Sequence, residues 1–267
     1  MRFFLYLFLL PLFIYPQKGY EKNDHVKINT RLVVNNYVTN YSFKDHFNDL
    51  HNLKFSFNQK KMDNIISKLG IPYKMFDRYH STKEIEIQRN LILNEGMFMK
   101  ENNKLVLDYN AVISFYRPYC KTIANSLIDL LKSKNEDTRL NRIEIAMKFI
   151  QDIPYGLPKK NRKIYTNGCL APIDVLIKGY GDCDSKTLFF ICILSYMINP
   201  DDILIVKGEN HMLSAVRDDV KKTSSSDFFR YGQKKYYICE TAGPGRFLFG
   251  QKSLTRKKYS LEPLIIN

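Results

Sequence analysis

Apolar residues recur with a helical period from about residue 108 onward. In residues 111–131, and again in residues 140–151, an apolar side chain returns every three or four positions, which predicts two amphipathic helices. Pro118 predicts a kink or a break near the start of the first helix, because proline has no backbone N–H to donate and its ring clashes with the preceding turn. The second helix is predicted to end before Pro154.

A continuous apolar run follows Cys183 and predicts a buried helix, and Pro172 opens a short apolar segment ahead of it. Three shorter apolar stretches come next, at residues 203–206, 212–216 and 236–239, and they predict strands. The polar loop between the last two is typical of a hairpin. Helices followed by antiparallel strands predict an α+β fold in which helices and sheet form separate layers.

Residues 21–107 have weaker patterning and predict an accessory region without catalytic character. Residues 61–69 have helical spacing and end at Gly70, with Pro72 just beyond, which is the expected stop of a helix. Residues 84–93 fit a strand or a helix equally well. The histidines of this region lack the spacing of a ligand set, so we expect neither a metal nor a cofactor. They are His25, His46, His51 and His80.

Residues 3–15 form an apolar stretch that only Pro11 interrupts. The stretch is too short for a membrane span of about 20 residues, and it matches the apolar part of a secretory signal. Residues 1–20 are therefore predicted to be a signal peptide, and the protein to be exported to a periplasmic or extracellular location. An uncleaved membrane anchor and a buried N-terminal element are the alternatives.

The composition is that of a folded protein with an excess of positive charge. Of its 267 residues, 45% are apolar and 25% charged, which excludes a chain dominated by disorder. A net charge of +14 attracts polyanions. The basic residues form short clusters, such as residues 159–163 and 256–258, without the spacing of a nucleic-acid-binding module. We therefore expect no specific nucleic acid partner and keep an anionic envelope polymer as a candidate partner.

The chain has five cysteines, of which Cys183 is predicted to be a free thiol. The other four are expected either to form disulfides after export or to lie buried, and the sequence leaves both alternatives open. They are Cys120, Cys169, Cys192 and Cys239. No C-x-x-C pair occurs, which argues against a zinc site or a dithiol redox motif.

Cys183 lies in the segment Gly181-Asp182-Cys183-Asp184, directly before the buried helix. A thiol on the first turn of a helix is close to unpaired backbone N–H groups and to the positive end of the helix dipole. Both stabilise the thiolate, which is the nucleophilic form of cysteine. Asp182 and Asp184 are predicted to cap the free N–H groups of the helix.

His211 and Glu240 stand at the ends of strand-like stretches downstream of Cys183. A cysteine, a histidine and a carboxylate in this order suggest a nucleophile, the base that takes its proton and the group that orients the base. The backbone N–H of Cys183 is the predicted first donor to an oxyanion, and Asn167 or Tyr165 is the candidate for the second.

These motifs resemble the transglutaminase-like superfamily, which is related to the papain-type cysteine proteases. The resemblance is carried by Gly-Asp-Cys-Asp before the helix, by His211 and by Glu240-Thr241, and it is supported by residues 153–155 and 171–176. It covers about residues 108–250 and implies a catalytic domain over residues 108–267, with a papain-like core whose nucleophile-bearing helix packs on an antiparallel sheet. Glu240 stands where the superfamily usually has aspartate.

The resemblance implies thiol attack on an amide of a protein or peptide substrate and a thioester acyl-enzyme. Capture of the thioester by water would make the protein a peptidase or amidase. We favour this outcome because relatives with the Gly-Asp-Cys-Asp pattern resemble proteases more than cross-linking enzymes, and because the chain has no calcium-loop pattern. Capture by a lysine amine would make it a cross-linking acyltransferase. A catalytically silent secreted binding module of the same fold is a further alternative, and the oligomeric state is not predicted.

Overall fold

The structure is a computed structural model that describes residues 22–73, 87, 90–91, 93–101, 104–209, 211–218, 226–251 and 258–266. The predicted signal segment, residues 1–20, lies outside the described residues, and so do His80 and most of residues 84–93. The residues of this segment that are described have helical backbone.

The chain begins with a three-stranded antiparallel meander, in the order β1 (Lys27–Val33), β2 (Asn36–Lys44) and β3 (Leu50–Asn58). Alternate residues of β2 are buried, as expected of a strand with one face toward the core. Helix α1 (Gln59–Ile66) follows directly and ends close to Gly70, where the sequence predicts the stop. The sequence predictions did not include this meander.

Two small antiparallel ladders connect the meander to the rest of the molecule. The first pairs β4 (Ile71–Pro72) with β7 (Ile164–Tyr165), and the second pairs β5 (Phe98–Glu101) with β6 (Lys104–Leu107). Because β4 and β7 are far apart in sequence, their pairing joins the accessory region to the loop before the Cys183 helix.

Four helices form the centre of the molecule: α2 (Tyr109–Ser133), α3 (Arg139–Gln151), α4 (Pro172–Lys178) and α5 (Cys183–Leu194). The two predicted amphipathic helices are confirmed as α2 and α3. The predicted break at Pro118 is wrong, because α2 continues through this residue. Its neighbours Tyr116 and Cys120 are fully buried, and their packing holds the turn that lacks one hydrogen bond.

Helix α5 is the central element. Every residue from Ser185 to Leu194 is buried, which explains the continuous apolar run in the sequence. Helices α2, α3 and α4 pack around α5, and strand β9 contacts it as well. The start of α5 is therefore held in place by neighbours from several parts of the chain.

The second sheet has five antiparallel strands in the order β10-β11-β9-β8-β12. They are β8 (Ile203–Gly208), β9 (Met212–Arg217), β10 (Phe228–Tyr231), β11 (Lys234–Cys239) and β12 (Tyr259–Pro263). The three predicted strands correspond to β8, β9 and β11. β9 and β11 do pair, but the loop predicted between them contains β10, which pairs with the other edge of β11.

One continuous hydrophobic cluster joins the meander, the helices and the second sheet. It extends from Tyr41 and Phe43 through α5 to Cys239. The rings of Tyr41 and Phe43 meet the ring of Phe149 on α3 edge to face, with centroids 5.0 Å and 5.3 Å apart. The protein is thus a mixed α+β fold with antiparallel sheets, as predicted.

Candidate active site

Cys183 is the first residue of α5, as the sequence predicts. The Asp182 side chain caps the helix by accepting the backbone N–H of Ser185 at 3.0 Å. The capping role predicted for Asp184 is wrong, because Asp184 lies inside the first turn and its Oδ1 is 3.3 Å from the sulfur of Cys183. The thiol donates this hydrogen bond, so Asp184 is a neighbour of the nucleophile rather than a cap.

His211 and Glu240 meet at one end of two neighbouring interior strands of the second sheet, β9 and β11. His211 precedes β9 and Glu240 follows β11, and these neighbouring strands place Ser214 opposite Cys239. Nε2 of His211 is 2.8 Å from Oε2 of Glu240, and the two side chains are 16% and 2% exposed. The other carboxylate oxygen of Glu240 accepts the backbone N–H of Ala242 at 3.1 Å. Both oxygens of Glu240 are therefore held in place.

Helix α5 is tied to the first residue of β9. The backbone N–H of Met212 lies close enough to the sulfur of Cys183 to lower its pKa somewhat, against the larger effect of burial. The hydroxyl of Thr187, one turn further along α5, donates to the carbonyl of Met212 at 3.1 Å. The residue next to His211 is thus fixed against the nucleophile.

The charge of His211 reaches the same turn of α5. Burial raises the pKa of the Asp184 carboxyl, whereas the hydrogen bond from Cys183 and the positive charge of His211 lower it. The three residues predicted from sequence, Cys183, His211 and Glu240, therefore lie around one site that also contains Asp184.

The thiol of Cys183 is less acidic than the sequence predicts. Burial raises its pKa to about 12, and the charge of Asp184 adds to this effect. A helix terminus contributes about 0.3–1 kcal/mol, which is less than one pKa unit at about 1.4 kcal/mol. Loss of hydration and a carboxylate in contact with the sulfur outweigh it. These effects favour the protonated thiol of Cys183 at neutral pH, in opposition to the helix terminus, which favours the thiolate.

A cleft of about 500 Å³ opens beside this site. Its walls include Tyr109, Asn167, Lys207 and Tyr259. Tyr109, the first residue of α2, lies close enough to Cys183 for the charges of Asp184 and Cys183 to add to burial in raising its phenol pKa. Tyr109 thus belongs both to the wall of the cleft and to the surroundings of Cys183. No sequence motif points to Tyr109, because only the packing of α2 on α5 brings it there.

The two residues proposed as second oxyanion donor contact each other. The hydroxyl of Tyr165 donates to Oδ1 of Asn167 at 2.8 Å. The carboxamide nitrogen of Asn167 is not used in this bond, and Asn167 is the one of the two residues that lines the cleft.

None of the five cysteines, all of which lie in the described ranges, forms a disulfide. Of the two predicted alternatives for the other four cysteines, disulfides or burial, the structure shows burial. These residues are Cys120, Cys169, Cys192 and Cys239. Within the described ranges, no group of three or more His, Cys, Asp or Glu side chains is placed to hold a metal ion. Among the helices described, none is long and apolar enough to cross a membrane.

Two of the four histidines that lack the spacing of a ligand set have carboxylate partners. His25 contacts the buried Asp152 at 2.6 Å, and His51 contacts Asp45 at 2.7 Å. Their roles depend on contacts between distant parts of the chain, which no local spacing indicates.

Comparisons of the chain with protein-family models, with curated proteins and with solved structures find no match.

Proposed function

We propose that the protein is an exported cysteine hydrolase of the transglutaminase-like, papain-related class that cleaves amide bonds in proteins or peptides. Cys183 is the nucleophile, His211 the base and Glu240 the group that orients the base. One observation carries the proposal: the 2.8 Å contact of His211 Nε2 with Glu240, at the start of a strand whose first residue, Met212, lies close enough to the sulfur of Cys183 to affect its pKa.

The proposed chemistry begins from a protonated thiol. As the sulfur of Cys183 attacks the amide carbonyl carbon, His211 accepts the thiol proton, and Glu240 stabilises the imidazolium that forms. The negative charge moves to the carbonyl oxygen, where the N–H of Cys183 and the carboxamide of Asn167 donate to it. The C–N bond then breaks, His211 returns the proton to the leaving amine, and a thioester remains.

Water completes the cycle in the hydrolytic proposal. His211 takes a proton from the water as its oxygen attacks the thioester, and the returned proton regenerates the thiol of Cys183 as the acid leaves. An amine in place of water would give transamidation, which is the cross-linking alternative. Glu240 suits the orienting role despite its longer side chain, because Ala242 and His211 fix its two oxygens.

The test is turnover by the purified full chain on a library of fluorogenic peptides and on casein. We expect cleavage that Cys183→Ala abolishes, together with a mass increase on Cys183 in rapidly quenched wild-type protein. Cys120→Ala is the matched control, because Cys120 is a buried cysteine on α2, and we expect it to keep its activity. Adding a labelled primary amine separates hydrolysis from transamidation. Cleavage that survives Cys183→Ala would contradict the proposal.

A second candidate function is a catalytically silent secreted module that binds an anionic polymer. The raised pKa of Cys183 favours it, because a neutral thiol is a weak nucleophile, and the net charge of +14 supplies the attraction. We would then expect binding to polyglutamate that weakens steeply with salt and is unchanged in Cys183→Ala, with no turnover of any amide substrate.

A further inference from the structure

Lys186 is a fully buried lysine in the second turn of α5, three residues beyond Cys183. Its ammonium donates to three backbone carbonyls, those of Ile153 at 2.7 Å, Ala242 at 2.7 Å and Gln151 at 3.3 Å. A lysine is almost never fully buried without partners, since its charge loses hydration. The charge is therefore stabilised by carbonyls from two separate segments.

The Ala242 segment carries the contact to the candidate active site. The carbonyl of Ala242 accepts from Lys186, and the N–H of the same residue donates to Oε1 of Glu240. Glu240 in turn holds the His211 ring. Two residues thus connect the ammonium of Lys186 to the predicted base.

The neighbouring glycine shows how closely this contact is packed. A Cβ on Gly243 would lie 2.4 Å from the carbonyl oxygen of Gln151 and 2.9 Å from Nζ of Lys186. Gly243 also has a positive φ of 61°, which a side chain rarely adopts. A methyl group there would push the Ala242–Gly243 peptide away from Lys186.

We propose that Lys186 is a positioning residue whose ammonium holds the Ala242 peptide, and through it Glu240 and His211, in the geometry that the reaction of Cys183 needs; the inference rests on the proposed function. When Lys186 loses a proton, the neutral amine has only two N–H groups for three carbonyls, so its hydrogen bonding to the Ala242 carbonyl weakens. Activity then falls as Lys186 is deprotonated.

The surroundings of Lys186 place this loss near neutral pH. Burial lowers its pKa to about 7, while the charges of Asp152 and Glu240 act in the opposite direction. Asp152 is itself paired with His25 and Arg246. In an unfolded chain a lysine has a pKa of about 10.4. Between about pH 7 and 10 the unfolded state therefore binds more protons at Lys186 than the folded state does. The contribution of Lys186 to the free energy of unfolding then rises with pH. A fall in activity over this range is therefore not caused by unfolding through this group.

A second lysine faces the same region from α3, so the two titrations must be separated. Burial lowers the pKa of Lys148 to about 8, and its ammonium donates to the carbonyl of Phe247 at 2.6 Å. Lys148→Met removes this titration but not the bond to Ala242. We expect the alkaline fall in activity to remain in that variant.

The experiment measures kcat/KM against pH for the full chain on the peptide cleaved by the wild type. We expect an alkaline fall with an apparent pKa near 7 in the wild type. In Lys186→Met this fall is expected to disappear and kcat/KM to drop roughly 100-fold, the effect of a misplaced catalytic group. Gly243→Ala should lower kcat/KM similarly. Gly232→Ala is the matched control, since Gly232 also has a positive φ of 58° but nothing within 4 Å of a Cβ, and we expect it to stay within about twofold of wild type.

A readout without turnover separates this inference from the proposed function. The backbone amide 15N signal of Gly243 reports on the carbonyl that Lys186 holds, and in the wild type it should shift with an inflection near pH 7 that Lys186→Met removes. An inflection in a protein that cleaves no amide would contradict the proposed function but would support the contact between Lys186 and the Ala242 peptide. No inflection between pH 5 and 9, or wild-type kcat/KM in both Lys186→Met and Gly243→Ala, would overturn the inference. If Lys186→Met fails to fold, the kcat/KM of Gly243→Ala and the pH titration of the Gly243 15N signal in the wild type test the inference.

Discussion

The two halves of the candidate active site differ in how completely they are prepared. The His211–Glu240 half is fully bonded, with both oxygens of Glu240 engaged at 2.8 Å and 3.1 Å. The Cys183 half carries a half-buried thiol beside Asp184, and burial raises its pKa to about 12. In the proposed reaction, this difference means that the proton of Cys183 leaves during the attack rather than beforehand.

The largest expected effect comes from removing the base. In His211→Ala, turnover should fall by about 1,000-fold or more, since general base catalysis contributes typically 10²–10⁴-fold. Alkylation of Cys183 by iodoacetamide should change by less than about threefold, because the thiol does not depend on an imidazolium for its resting state. His46→Gln, at a histidine bound to Asn141, is the control. A parallel loss of alkylation and turnover would show that the two halves form a resting ion pair instead.

Glu240→Gln tests the prepared half alone. The carboxamide keeps the size of the side chain but removes the charge that stabilises the imidazolium, so we expect kcat to fall roughly 100-fold with little change in KM. Steady-state kinetics on the cleaved peptide provide the measurement. Glu240→Asp shortens the side chain and should be at least as damaging, since it draws the carboxylate away from His211. A rise in KM with unchanged kcat would instead assign Glu240 to substrate binding.

Asp184→Asn sharpens the contrast from the nucleophile side, because it removes the carboxylate that contacts the sulfur. The pKa of Cys183 should then drop by about one unit, which raises the rate of alkylation at pH 8 roughly tenfold. Asp182→Asn keeps a capping side chain and should give a smaller increase, as its charge is the weaker influence on Cys183. Equal effects of the two substitutions would mean that distance from the sulfur does not set the pKa.

The smallest expected effect concerns Asp152, which links the accessory region to the segment after Glu240 through His25 and Arg246. Burial raises the pKa of Asp152, but hydrogen bonds from Lys44, His25 and Arg246 lower it below its ordinary value. A carboxyl with a lowered folded pKa stabilises above its unfolded pKa of about 3.9, and this contribution is lost as the pH falls through the folded value. Denaturant unfolding between pH 6 and 2 should show this loss of stability, and Asp152→Asn should remove this part of the pH dependence. Of all the variants, Asp152→Asn should change turnover least.

Helices α2, α3 and α5 and three of the six described strands after residue 108 were predictable because their apolar patterning is strong. α5 is apolar over its length since it is buried on every side, and β9 and β11 are short apolar stretches. The meander was not predicted because its strands place polar residues such as Asn29, Asn40 and Lys54 on the exposed face, and only alternate residues such as Tyr41 and Phe43 indicate the buried face.

The site was predictable in its residues but not in its electrostatics. Cys183, His211 and Glu240 stand out by order and by position at the ends of predicted elements. The pKa of Cys183 depends on burial and on the direction of the Asp184 side chain, which no helix-terminus rule contains. Tyr109 and Lys186 carry no motif, because their positions depend on the packing of α2 and α3 against α5.

The most direct test of the central claim is the rate of Cys183 alkylation by iodoacetamide as a function of pH, followed by peptide mass spectrometry in the wild-type protein. A thiol that keeps its proton at rest predicts a rate that rises about tenfold per pH unit without a plateau below pH 10. A plateau with a midpoint below pH 8 would reveal a thiolate already formed and would contradict the claim.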